Sequence, residues 1–167
     1  QPDFRTAVAN VDTHGSAIPS RTSLFSPEGI VVDQSSGALF VADAGNNRVL
    51  RFPRPVAQTG RISPDAVIGQ VDFNSSVSAA VSAFSLKLPG SVALGPNGDL
   101  FVADTGNSRV LEYAAGAGTG ASAIRVYGQP NFASGGISQQ VSAQTMTEPQ
   151  GLFVDSAANL YVADRNA

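Results

Sequence analysis

The chain repeats itself, and the period of the repeat limits what it can fold into. Leu39-Phe40-Val41-Ala42-Asp43-Ala44-Gly45-Asn46-Asn47-Arg48-Val49-Leu50 returns as Leu100-Phe101-Val102-Ala103-Asp104-Thr105-Gly106-Asn107-Ser108-Arg109-Val110-Leu111. A third copy opens at Leu160-Tyr161-Val162-Ala163-Asp164, so the period is about 60 residues. Pro27-Glu28-Gly29-Ile30, Pro89-Gly90-Ser91-Val92 and Pro149-Gln150-Gly151-Leu152 recur in step. So do Val67-Ile68-Gly69-Gln70-Val71-Asp72-Phe73 and Val126-Tyr127-Gly128-Gln129-Pro130-Asn131-Phe132, whose tail is also seen in Gln1-Pro2-Asp3-Phe4. Landmarks kept in fixed order mean one small structural unit used again and again. Each unit is too small to bury its own apolar surface, so it must stack on its neighbours.

Inside a repeat the apolar runs are short and rich in Val, Ile and Phe, which suit a pleated, packed surface. Strands are expected at Gly29–Val32, Leu39–Ala42, Val49–Phe52 and Ala66–Ile68, and again at Ser91–Leu94, Leu100–Ala103, Val110–Tyr113 and Ala123–Tyr127. Clusters of Asp, Asn, Ser, Gly and Pro separate them, as turns require. The runs are apolar almost throughout, which fits strands covered on both faces. Only Val77–Leu86 has the content for a short turn of helix. Four antiparallel strands joined by short hairpins make a β-propeller blade. The expected fold is therefore all-β, with two full blades and part of a third. The repeats run over about 1–69, 70–128 and 129–167.

Pro-x-Gly-hydrophobic, a turn, then hydrophobic-Val-Ala-Asp-x-Gly-Asn-x-Arg-Val resembles the NHL repeat. Pro27, Gly29 and Asp33 with Val41–Val49 carry the resemblance in the first copy, and Pro89 with Val102–Val110 in the second. Pro149, Gly151 and Asp155 with Val162–Asp164 match the first half of a third. The chain departs from the family's pattern in two places. Its period exceeds the usual unit of about 40–45 residues, and Gly95 stands where the other copies have Asp33 and Asp155.

The surplus length falls between the last strand of one blade and the first of the next, at Gln70–Leu88 and Gln129–Glu148. In a propeller this connection shares a face with the hairpin between the second and third strands. Asp43–Asn47 and the inserts are thus expected on one rim, where long loops on a rigid frame carry binding. Phe4, Phe73 and Phe132 recur at the start of the inserts and are expected to pin them by burial.

Asp43, Asn46 and Asn47 in the first copy, with Asp104 and Asn107 in the second, are the candidate binding residues of that rim. The same Asp-x-Gly-Asn-x-Arg hairpin also reads as a turn device. Asp and Asn bond the backbone, Gly45 and Gly106 supply positive φ, and Arg48 and Arg109 pair with carboxylates or carbonyls of the adjacent blade. A set present in every blade does not define one active centre. Asp33 and Asp155 end the innermost strands and are candidate Ca²⁺ ligands, because a hard cation takes oxygen donors. His14 is the one histidine and there is no cysteine, so a catalytic metal or a thiol nucleophile is not expected. Asn74-Ser75-Ser76 fits the N-glycosylation pattern in an insert loop. Gly116–Gly120 precedes no expected helix, so it reads as a flexible hairpin tip rather than a phosphate loop.

Charged residues make up 14% of the chain, about half the usual share. The net charge of −3 gives phosphates no attractive field, which disfavours nucleic acid, including RNA binding of the kind some NHL proteins show. No apolar run is long enough to span a bilayer. Gln1-Pro2-Asp3-Phe4 has neither the basic nor the apolar region of a signal peptide, and the third copy stops inside its hairpin. The remaining blades are therefore expected from a longer parent chain or from further copies of this one. The functional expectation is a non-catalytic binding or scaffold propeller, extracellular or at the cell surface, without a cofactor and with a protein or glycan partner. The resemblance also implies an alternative, a fragment of a lyase or lactonase type whose metal and histidine site lies in other blades.

Overall fold

A computed structural model describes residue 10 and residues 18–59, 62–138 and 142–165. Strands β1 (Pro27–Val32), β2 (Leu39–Asp43), β3 (Arg48–Phe52) and β4 (Ala66–Ile68) form one antiparallel sheet in chain order. Strands β5 (Ser91–Leu94), β6 (Leu100–Asp104), β7 (Arg109–Tyr113) and β8 (Arg125–Tyr127) form a second of the same topology. Strands β9 (Glu148–Val154) and β10 (Leu160–Arg165) pair as a two-stranded third. No strand pairs from one sheet to the next, and no α-helix occurs among the described residues. The fold is all-β and propeller-like.

The expected strands are present, most within a residue or two of their expected bounds. β8 starts two residues later than expected, because Ala123 gives its N–H to the carbonyl of Ala83 in the preceding insert. Helix at Val77–Leu86 does not form. The hydroxyls of Ser82 and Ser85 bond backbone N–H and C=O groups there, offering the chain a compact turn in place of a helical ladder.

Successive strand residues point to opposite faces, and here both faces are used. Phe40, Ala42, Val49 and Ile68 of the first sheet share one packed cluster with Val92, Leu100, Val102, Leu111 and Tyr113 of the second. The alternate positions of the second sheet, Ala93, Phe101 and Val110, pack on Leu152, Val154, Leu160 and Val162 of the third. Each fully buried Val, Leu or Phe contributes about 1.5–3 kcal/mol, so stacking rather than pairing is the main bond between sheets.

The Gly116–Gly120 segment is not a free tip. Two turns, closed by Ala117 N–H to Ala114 O and Ala121 N–H to Gly118 O, lay Ala117 and Ala121 against the core between the first two sheets. The Thr119 hydroxyl accepts the Val67 N–H at 3.1 Å, satisfying a donor on the outer edge of β4.

Candidate functional site

The hairpin between the second and third strands of each of the first two sheets carries a dense set of hydrogen bonds. After β2 the chain makes a 3₁₀ turn at Ala44–Asn46 and reverses through Asn47, a left-handed residue with φ 53°. The second sheet repeats this with Thr105–Asn107 and Ser108, φ 55°. Asp43 Oδ1 accepts the Phe25 N–H at 2.7 Å, while Oδ2 accepts from Asn46 at 2.8 Å and from Arg48 Nε at 2.7 Å. Arg48 then reaches in two directions. It donates to Phe73 O at 2.5 Å in the insert that follows, and to Ser20 O and Ser23 O in the segment that precedes β1. Arg109 does the same from Asp104, donating to Phe132 O, Ser82 O and Ser85 O. One guanidinium thus ties two inserts to one hairpin.

All four charged groups are fully buried. Burial pushes the Asp104 carboxyl up from its ordinary value, against the downward pull of Arg109, Asn107 and the Lys87 amide. A buried carboxylate is tolerable only with such a set of donors. In the third sheet Asp164 stands at the same place and accepts from the Thr147 and Glu148 amides.

The structure therefore places Asp43, Asn46, Asp104 and Asn107 in the interior, engaged with the hairpin and its inserts. Asn46 also exchanges two hydrogen bonds with Asn10. Asn47 is half-buried on the rim. Its amide donates to Ser76 O and accepts the Leu88 N–H, and its carbonyl accepts from Gln70, which also donates to Val77 O. Gln129 spans Ser108 O and Gly136 O in the same manner. Hairpin and inserts do share a rim, and Phe73 is buried against Leu50 and Val67. Phe4 and His14 lie outside the described residues.

The expected role of the hairpin glycines needs correcting. Positive φ belongs to Asn47 and Ser108, not to Gly45 and Gly106. A Cβ on Gly45 would sit 2.6 Å from the Phe25 ring, and one on Gly106 would sit 2.7 Å from Lys87, so these glycines admit the insert to contact.

Sequence reasoning missed a further repeated device. Ser20 and Ser23, Ser82 and Ser85, and Ser142 and Thr145 form hydroxyl-bonded turns just before β1, β5 and β9. Their carbonyls are the ones the arginines of the first two copies seek. The signal is Ser-x-x-Ser/Thr followed by Leu24, Leu86 or Met146, hidden in Ser-rich sequence.

Asp33 and Asp155 are half-buried and each closes its own turn. Asp33 accepts from the Ser35 amide and hydroxyl and from the Ser36 hydroxyl, which hold its carboxyl down at about 2. Asp155 accepts from Ala157, Asn159 and Tyr161. No group of three or more carboxylate or imidazole side chains that could hold a metal converges among the described residues. Asn74 is exposed, its amide bonded to Asp72.

Two of the clefts at the ends of the sheets have polar side chains in their lining. One, of about 660 Å³, lies between β8 and the second insert beside Tyr127, Gln129 and Met146. The other, of about 370 Å³, lies on the opposite face between the first two sheets, where Asp33, Phe40, Arg51, Arg54 and Asp65 line it.

Comparison with known proteins agrees with this arrangement. No curated protein matches the chain. Among solved structures, a protein of Bacteroides uniformis ATCC 8492 assigned by name as a 6-phosphogluconolactonase is similar in fold, with a TM-score of 0.50 and 13% identity. The match covers 83% of this chain and 34% of that one, so this chain spans about a third of its length. At that identity the likeness concerns the fold alone. The NHL repeat model matches residues 26–52 and 86–113, which hold β1–β3 and β5–β7 with their Asp–Arg hairpins. The chain carries two NHL repeats.

Proposed function

We propose that the chain is a non-catalytic binding or scaffold module of a β-propeller, active outside the cell, presenting its insert-lined face to a protein or glycan partner. The observation that supports this reading is a contrast within the inserts. Their roots are fastened by Arg48, Arg109, Gln70, Gln129 and Asn47, yet their surfaces expose Val71, Val77, Leu88 and Ile137. A rigid loop that shows apolar side chains to water is suited to a partner, because little conformational entropy remains to be lost on binding. The buried members of the hairpin then act as the frame, and the insert surfaces as the contact.

A photo-crosslinking residue at Val77, 71% exposed, tests the reading against one at Val56, fully exposed at the turn after β3. The expected result is a discrete crosslinked partner from Val77 and none from Val56. Equal capture at both positions, or capture at Val56 alone, would overturn it.

A further inference from the structure

The cleft between the first two sheets has a chemistry that the repeat does not require. The residues that hold the fold recur from copy to copy, as Asp43 and Asp104 or Arg48 and Arg109 do. The charged lining of this cleft does not recur in the second copy, although Asp33 returns as Asp155 in the third. Asp33 is replaced by Gly95 in the second copy, Arg51 by Glu112, and Arg54 by Ala115. Arg51 holds Asp65 through two parallel bonds of 2.9 and 3.1 Å along one wall. Ala38, Phe40 and Pro53 make an apolar surface beside it. The guanidinium of Arg54 is exposed and has no hydrogen-bond partner among the described residues.

Arg54 is also strained. Its backbone is left-handed, φ 44° and ψ 57°, immediately before Pro55. A side chain disfavours that conformation, and a following proline disfavours it further. The second sheet has Ala115 at the corresponding place, and its left-handed residue there is a glycine one position later, Gly116, φ 76°. A left-handed backbone kept at a cation in a cleft, with no hydrogen-bond partner for its guanidinium among the described residues, makes Arg54 a candidate binding position.

We propose that this cleft binds an acidic sugar, a uronic-acid residue, with its carboxylate on Arg54, its ring against Phe40 and Pro53, and its hydroxyls donating to Asp33 and Asp65. The volume of about 370 Å³ is at the scale of small-ligand pockets and accommodates a pyranose ring. Guanidinium and carboxylate form charge-assisted, two-pronged hydrogen bonds. Two flanking carboxylates that only accept hydrogen bonds favour a ligand rich in hydroxyl donors over a peptide. The site lies on the face opposite the inserts, so it goes beyond the proposed partner surface and stands or falls separately.

The test is a chemical-shift titration of the labelled 167-residue chain with glucuronate, with glucose as the neutral control. The expected result is saturable shifts at residues 33–37 and 51–54, with glucose roughly tenfold weaker or more. Arg54→Gly should lose at least about tenfold in affinity while melting no lower than the parent, since it removes the strain. Val77→Asp should leave glucuronate binding unchanged. No saturable binding, equal binding of glucose, an unaltered affinity in Arg54→Gly, or tighter binding of a short acidic peptide than of glucuronate would overturn the proposal.

Discussion

Arg48 Nε lies 2.7 Å from Asp43 Oδ2, with neither side chain reached by solvent. Arg109 and Asp104 repeat the contact at the same distance. Such a pair contributes little by its mere presence, because desolvation offsets the attraction. Its consequence is directional. The guanidinium must face carbonyls on both sides of the hairpin, and so it fixes where two inserts lie.

Removing one partner strands the other charge in the interior. Arg48→Met or Arg109→Met should each cost about 3–5 kcal/mol in urea unfolding. Arg109→Lys should recover only part of this, since an ammonium cannot reach Asp104, Phe132, Ser82 and Ser85 together. Asp43→Asn combined with Arg48→Met should cost less than the sum of the single changes. Additive losses would show that the pair is not coupled.

The two left-handed hairpin residues should respond in opposite senses to glycine. Ser108→Gly relieves backbone strain and is expected to raise stability by up to about 1 kcal/mol. Asn47→Gly relieves the same strain but loses bonds to Ser76 and Leu88, so a net loss of about 1 kcal/mol is expected. Thermal melts of both variants decide this.

How much of this was legible beforehand depends on whether a residue's task is local. The strand runs Leu39–Asp43 and Leu100–Asp104 announce themselves, because period and β-branched content are properties of neighbours in sequence. The role of Gly45 was misread because its constraint comes from Phe25, across the rim. Asp43 and Asp104 looked like rim ligands for the same reason. Polar residues in a turn read as exposed unless one knows that Phe25 and Lys87 amides, far away in sequence, arrive to be accepted. The Ser20–Ser23 turn escaped notice because its meaning lies in its carbonyls, which every residue has.

Asp33 supplies a prediction in pH. Its folded carboxyl is held at about 2 by the Ser36 and Ser35 hydroxyls and the Ser35 amide, below its ordinary 3.8. A depressed carboxyl stabilises the fold fully above the ordinary value, and that contribution is lost as pH falls through about 2. Carboxyl-carbon titration should find a midpoint near 2, and Ser36→Ala should move it upward. A midpoint already at 3.8 would remove the turn from the account.

Phe153 and Tyr161 face each other across β9 and β10 with ring centroids 6.0 Å apart, and are 63% and 55% exposed. Their counterparts Ala93 and Phe101 are each 6% exposed, covered by the third sheet. At the other end Ile30 is 69% exposed, while its counterpart Val92 is 5% exposed. The open faces are thus the two halves of the interface that joins the first two sheets. The 167-residue chain produced alone should therefore self-associate, and Tyr161→Asp should weaken that. Light scattering that reports a stable 17.1 kDa monomer would contradict this.

The central claim is that each hairpin holds its inserts rigid, and native-state hydrogen exchange reads this most directly. The amides of Phe25, Lys87 and Leu88 donate to Asp43, Asp104 and Asn47. They should exchange nearly as slowly as the amides of β2 and β6, and the first two should lose that protection in Arg48→Met and Arg109→Met respectively. Exchange of all three at unprotected rates in the parent chain would contradict the account.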